Sequence, residues 1–498
     1  MTGKAKLVMM MLSAVLCLDA ESQNSQVLYY MNLPQNTFMN PAMKPAEKFY
    51  IGLPVITGIN AGFGNNFLTL SDLVPPGTKI DSTWTKNPPI DPGKLAGKLA
   101  NYNTITTDAS IQLLGLGMTF GKDLYIFLDV SDRTSEKVIF PGELGKLYLT
   151  GDSQLTGKTI NLSGMNVLGQ YYREYGLGFS KNITSKLRIG AKVKLLSGIA
   201  STSLDYNTLT LKVNNDLSQT VTTDAYLNVS GKTTLDRVFS ENGILGSSSG
   251  STNTRTDLKG FILDYLKIPV SNPGVSLDIG AVYNLGSMLT ISASMTDLGF
   301  IDWKKDLKSY KSLNTFSLPG ISLSDVKNNS GISIDSMFNS LVNSVKSSFK
   351  DTVPKSFRTY LPMSISAGVS VTPLPVLSLG VMSNSRFYAG TVQESVTLSA
   401  NAYLGRFLSA SAAYTMANYT YNNLGFGLAV KAGVAQIYLI ADKIPLSWEK
   451  IYVQGNDNTY SAYRIPQNMN LLNIQLGLNI VFGKPVSKKT DKPMVIVQ

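Results

Sequence analysis

The 498-residue sequence carries 44 Lys and Arg against 33 Asp and Glu, a formal charge of +11, and has no histidine. Charged residues make up 15%, against roughly 25% in soluble domains, while hydrophobic residues reach 43%. This balance excludes Ser-His-Asp and Cys-His catalysis and histidine-based metal sites, and no Gly-rich phosphate loop precedes a helix.

After the first twenty residues no apolar run approaches the ~20 residues of a membrane helix. A chain short of charge and without helical spans points to an all-β, transmembrane antiparallel barrel; a secreted β-sandwich array is the competing reading. At the N-terminus, Lys4 and Lys6 precede an apolar run from Leu7 to Leu18, the pattern of a cleaved secretory signal over residues 1–20. The only cysteine, Cys17, lies inside that run, so disulfides are not expected in the exported chain.

Residues 21–47 are polar and irregular. Asn40-Pro41-Ala42 favours a turn, and the stretch is either a leader into the first strand or a plug that tucks into a barrel mouth, with Asn40, Pro41 and Ala42 as the candidate plug residues. The barrel itself is expected over 48–483. Its first strand, Phe49 to Phe63, alternates apolar and small or polar residues, and Pro54 within it requires an edge or bulge. Further hairpins follow at 111–130 and 171–195. In the second, Leu187, Ile189, Ala191, Val193 and Leu195 oppose Arg188, Gly190, Lys192 and Lys194. Three cations on one face forbid a dry core and fit a wet lumen.

The clearest hairpin spans 274–303. Val275, Leu277, Ile279, Ala281 and Tyr283 share one parity with Asp278 on the other, a turn follows at Asn284 to Ser287, and Leu289, Ile291, Ala293 and Met295 resume the apolar face. Strands return densely from Leu361, and the last runs from Leu472 to Phe482, followed by a basic tail, 484–498. A hairpin over 204–229 reads as an exposed extension without an apolar face. Short helices are expected at 257–268 and 336–349, with a low-complexity stretch at 246–256.

Tight links at 121–123, 181–186, 284–287, 372–375, 404–406 and 433 interleave with long ones. The largest are 64–104, 131–169, 199–273, 298–356 and 443–470, with shorter ones at 385–394 and 415–422. The count is about 14 strands, with short periplasmic turns, long extracellular loops and both termini on the turn side. Trp303, Trp448, Tyr283, Tyr403 and Tyr414 near strand ends suit interfacial girdles. Arg188, Lys192, Lys194, Asp278, Tyr125 and Phe127 are the candidate lumen-facing residues. The glycine pairs 115/117, 176/178 and 425/427 read as inward positions where bulky neighbours need room.

The Asn40–Ala42 motif, the leader around it and LDIGAVYNLGSMLTISASMTDLGFIDW (277–303) resemble the outer-membrane barrels related to the long-chain fatty acid transporter FadL, nearest to an uncharacterised branch that includes PorV-like barrels of type IX secretion. The resemblance implies an N-terminal plug and an outer-membrane location. The resemblance carries over no fatty-acid-contacting residue and does not extend to the loops at 199–273 and 298–356.

Two functions are compatible with these features. One is passive, non-enzymatic transport of hydrophobic or amphipathic small molecules. The other is a structural or interaction barrel that serves a secretion or surface-assembly system through an envelope protein partner. Expected partners are outer-membrane lipid and lipopolysaccharide, whose phosphates suit the basic loops. No cofactor, metal or nucleic acid is implied.

Overall fold

The computed structural model describes residues 26–483, apart from 232–270, 319–342 and shorter interruptions at 55, 82–83, 85–90, 151–154, 217, 345, 406, 418–419, 445–446, 456–457 and 468. The expected signal, the low-complexity stretch 246–256, the helix at 257–268 and the tail lie outside the described residues. So does most of the helix at 336–349, of which 343–344 and 346–348 are helical.

Fourteen strands form one closed sheet. They are β1 (Phe49–Gly52 and Ile59–Asn65), β2 (Tyr102–Phe120), β3 (Leu124–Pro141), β4 (Asn166–Asn182), β5 (Leu187–Val213), β6 (Asn272–Leu285) and β7 (Leu289–Trp303). The circuit continues with β8 (Met363–Leu374), β9 (Leu377–Tyr388), β10 (Thr391–Leu404), β11 (Leu408–Ala417), β12 (Thr420–Ala432), β13 (Ala435–Ile444) and β14 (Leu471–Phe482). Each pairs antiparallel with its chain neighbours, and β14 returns to β1 through Phe49↔Phe482 and Ile59↔Leu476. The break in β1 falls around Pro54, which has no N–H to give to the ladder.

The burial pattern is inverted relative to a soluble protein. Leu177, Val193, Leu195, Val369, Val381, Leu398, Phe426 and Leu439 are exposed, while Ser180, Lys192, Asp278, Ser366, Thr397 and Asn479 are buried. An apolar outer face on a closed, even-stranded barrel is the outer-membrane arrangement, because lipid takes the apolar residues and closure leaves no strand edge unpaired.

Several strands outrun their expected ends. β5 alone has 27 residues. Beyond the membrane it pairs with Gln219–Ser230, which pairs with Leu307–Leu318, so the expected extension is a continuation of the barrel wall. That extension does have an apolar face. Leu211, Val213 and Val221 pack with Ile160 and with Leu147 of the helix Gly142–Thr150.

Two links expected to be long are tight. β9 turns into β10 through Ala389 and Gly390 alone, both at positive φ (51° and 76°), the pattern of a type I′ hairpin. β11 and β12 are likewise separated by two residues.

A β-bulge in the β6–β7 hairpin sets the parity above it. Asp278 of β6 faces both Thr296 and Asp297 of β7, because pairing shifts from Ile279↔Met295 to Leu277↔Leu298. Asp297 takes φ 60°, a conformation that Asp tolerates better than most residues. The shift turns Trp303 inward. It is fully buried, donates to Thr359 Oγ1 at 2.8 Å and stacks on Phe357, so it is not part of an interfacial girdle. Tyr403 also leaves the expected girdle, its hydroxyl donating inward to the carbonyl of Tyr30 at 2.6 Å.

The outer face makes a direct test. Val381→Lys places a charge on the lipid side of β9 and is expected to lower stability by about 2–4 kcal/mol if it sits at the bilayer midplane, whereas Val381→Leu leaves it unchanged. Urea unfolding in lipid vesicles, followed by tryptophan fluorescence, measures the difference.

Candidate functional site

Residues 26–47 lie inside the barrel. They form two short 3-10 turns, Val27–Tyr30 and Pro34–Phe38, and Val27, Leu28, Tyr29, Tyr30, Met31, Leu33, Met39 and Met43 are all buried. Pro34 opens the second turn, where its missing donor is not needed. The segment is tied to the wall on many sides. Tyr29 donates to Ser292 Oγ at 2.8 Å, Tyr30 to the Val381 carbonyl at 2.9 Å, and Ser294 to the Met39 carbonyl at 2.7 Å. Gln35 and Asn479 exchange amide hydrogen bonds of 2.8 and 3.0 Å, and Lys431 pairs with Glu47 at 2.6 Å. Burial pushes the hydroxyls of Tyr29 and Tyr30 above the ordinary tyrosine range, so both stay protonated as donors.

Inward glycines make the room. Asn40 lies against Gly280, the Pro41 carbonyl against Gly190, Tyr30 against Gly368 and Gly380, and Val27 and Met31 against Gly427. A methyl on Gly380 would meet the Tyr30 ring at 2.6 Å. Asn40 donates to the Ala293 carbonyl at 3.3 Å, its Oδ1 accepts from Ala42 N at 2.9 Å, and the Ala42 carbonyl accepts from Ser180 Oγ at 2.8 Å. Tyr125 and Phe127 also face inward. Their rings stack 5.5 Å apart and cover Gly117 and Gly178.

The expected cations are not in open water. Lys192 pairs with Asp129 at 2.8 Å, and Lys194 with Asp278 at 2.7 Å and Asp297 at 2.6 Å. Arg133 joins Asp297 at 3.0 Å and Glu174 at 3.2 Å. Three cations thus meet four carboxylates in one buried cluster across β3 to β7, which is how these charges are tolerated away from water. Arg188 stands apart, at the turn end beneath residues 41–44. It donates to Ser180 Oγ, to the Ser180 carbonyl at 3.1 Å and to Asn182 Oδ1 at 2.8 Å.

Between residues 26–47 and the loop side is a cavity of about 700 Å³, counting space that opens to solvent. Leu28, Phe38 and Met39 form its apolar side; Asp108, Ser131, Arg133, Glu174, Lys192 and Lys194 form its polar side. Lys192 also lies over the Phe38 ring at 4.9 Å. Asp108, Arg133, Glu174 and Asp297 were not among the residues expected at the site. Asp297 did leave a trace in the sequence, since Thr296-Asp297 breaks the alternation before Leu298.

A family model described as a family of unknown function (DUF5723) matches residues 41–442. The chain belongs to that family. It is also similar to solved barrels. The toluene transporter TbuX of Ralstonia pickettii is 9% identical, covers 94% of this chain and 100% of its own, and superposes with a TM-score of 0.41. The Pseudomonas putida toluene transporter TodX is 9% identical over 93% of this chain and 100% of its own, with a TM-score of 0.41. A Pseudomonas aeruginosa FadL homologue is 10% identical over 94% and 100%, with a TM-score of 0.40. These likenesses are too distant to transfer a substrate or a residue role. No curated protein matches the sequence.

Two substitutions probe the charge cluster. Lys194→Met leaves two cations for four carboxylates and is expected to cost about 3–5 kcal/mol. Asp297→Asn leaves three for three and is expected to cost less. Unfolding midpoints read from heat-modifiable gel mobility rank the two.

Lys44 gives a pH test. Burial, and then Arg188 nearby, push it down from 10.5 to about 8, while Asp123 acts in the opposite sense. The docked lysine holds its proton less tightly than a free one. Its charge therefore opposes docking fully below about pH 8, and the opposition fades as pH rises toward 10.5. Lys44→Met is expected to raise the unfolding midpoint at pH 7 and to match the parent near pH 10.5.

Proposed function

We propose that this protein is a gated outer-membrane channel for small amphipathic molecules, with residues 26–47 as its plug. The observation that carries the reading is the cavity. It combines an apolar floor on the plug with charged walls on β2 to β5, and it stops at the plug on the turn side. A solute with one apolar and one polar end suits such a lining better than a purely aliphatic one. On this reading Asn40, Pro41 and Ala42 fix the plug against β4 to β7. Tyr125, Phe127 and Arg188 fill the wall around it, and Lys192, Lys194 and Asp278 hold the chamber in shape.

The extension above the barrel supports a second reading. The strands over 201–230 and 307–318 stand beyond the membrane with an apolar core of their own, as a surface for an envelope partner would.

Conductance separates the two. The protein with and without residues 26–47 is refolded, its barrel checked by heat-modifiable mobility, and each form recorded in a planar bilayer. Discrete openings are expected only after the deletion. A folded barrel that never opens in either form overturns the channel reading and leaves the partner-binding one.

A further inference from the structure

The link from β13 to β14 folds into a small sheet of its own on the loop side. Trp448–Gln454 and Tyr460–Pro466 pair antiparallel, and Lys79–Ile80 adds a parallel strand beside the first. Alternation gives this sheet two unlike faces. On one, Ile451, Ile465 and Ile80 are buried against Leu70 and Val74 of the β1–β2 link. The other carries Trp448, Lys450 and Tyr452, with Arg464 opposite Lys450, Lys79 beside Tyr452 and Tyr460 at the far end. Trp448, Lys450, Arg464, Lys79 and Tyr460 are exposed, and Tyr452 is half-buried.

Lys450 and Arg464 form a directly opposed cross-strand pair. Like charges so placed repel and weaken a sheet, and an anion between them turns that repulsion into two attractions. Lys79 extends the positive strip and lies over the Tyr460 ring, 5.5 Å from its centre. Among the described residues of this face the carboxylate is Asp81, which accepts from the Tyr460 hydroxyl at 3.3 Å at the far end of the sheet. Aromatic rings bracket the cations, Trp448 on the barrel side of Lys450 and Tyr452 on the other. Exposed aromatic rings offer a flat apolar surface for the C–H face of a sugar, and ammonium and guanidinium groups take phosphate.

We infer that this face binds the phosphorylated inner saccharide of lipopolysaccharide, with Lys450 and Arg464 sharing one phosphate and Trp448 and Tyr452 lying against the sugars on either side. Position selects lipopolysaccharide among phosphorylated saccharides. The row of Trp448 and Pro466 is the first above the ends of β13 at Ile444 and β14 at Leu471, so the face begins where the outer leaflet gives way to its sugars. Seven residues at about 3.3 Å each make the face roughly 20 Å long, room for a short saccharide chain. The site does not depend on what the lumen carries. Its buried side joins the β1–β2 and β13–β14 links, so a bound saccharide steadies both.

Binding of deacylated lipopolysaccharide tests it, because a water-soluble phosphorylated oligosaccharide has no acyl chains to coat the lipid face. The full protein is held in phosphatidylcholine nanodiscs, its fold checked by heat-modifiable mobility, and the oligosaccharide is titrated by surface plasmon resonance. The parent is expected to bind, more weakly as salt rises. Lys450→Ala with Arg464→Ala is expected to weaken binding at least tenfold, and Trp448→Ala to weaken it as well. Lys450→Arg is expected to keep it, as is Glu449→Ala on the opposite face. A double variant that binds like the parent overturns the site, and so does a parent that does not bind. Equal binding of the enzymatically dephosphorylated oligosaccharide overturns it too, since the cations then read no phosphate. Tighter binding of polygalacturonate, an acidic polysaccharide without phosphate, overturns lipopolysaccharide as the occupant. No outcome bears on conductance, so this test and that of the channel are separately readable.

Discussion

Closure of the sheet is the constraint on which everything else in this molecule rests. In lipid no water satisfies a free backbone N–H or C=O, so β14 must return to β1 and every strand must find two neighbours. Closure fixes the inverted pattern, apolar outward and polar inward. It also creates a problem, because a ring of fourteen strands encloses more space than its inward side chains fill. The chain fills the turn-side half with its own residues 26–47, and the inward glycines are where that filling becomes possible. At Gly190, Gly280, Gly380 and Gly427 the wall withdraws its side chain and residues 26–47 lie against the backbone.

The bulge at Asp278 and Asp297 does two jobs with one extra residue. It presents a carboxylate to Arg133 and Lys194, and it reverses which residues of β7 face inward above it. Below it, Ile291 and Met295 face lipid. Above it, Ile301 and Trp303 enter an apolar cluster with Tyr172, Leu196 and Leu361. The change from polar lumen to apolar cluster therefore occurs at the level of the ion cluster. The strain of a non-glycine residue at φ 60° is held there by the Asp297 N–H, which donates to Asp278 Oδ1 at 2.7 Å.

Much of this was legible in the sequence, because strand pairing between neighbours is a local property. Alternation at 187–195, 274–295 and 472–482 gave the strands and their outward faces, and the glycine pairs marked inward gaps later found occupied by Tyr125, Phe127, Val27 and Met31. What escaped is non-local. Lys192 and Lys194 read as cations in water because their partners, Asp129, Asp278 and Asp297, come from three other strands. The link at 385–394 read as a loop because Arg386, Tyr388 and Gln393 are polar. They are polar because they point into the lumen of a hairpin that turns in two residues. Trp303 misled for the same reason as the cations, since its environment is set by a bulge six residues earlier.

The two ends of the lumen are held by different chemistry. On the turn side, large apolar side chains seat in glycine-lined hollows and hydrogen bonds reach strands all around the ring. Such packing is insensitive to salt and gives way only as a unit. On the loop side, the Arg386–Asp108 pair and hydrogen bonds from Tyr388, Lys137 and Asn166 join the β9–β10 hairpin to the opposite wall. Water, salt or a charged solute competes for those contacts directly, at their own strength. The turn-side packing is disturbed only by forces that act on residues 26–47 as a whole.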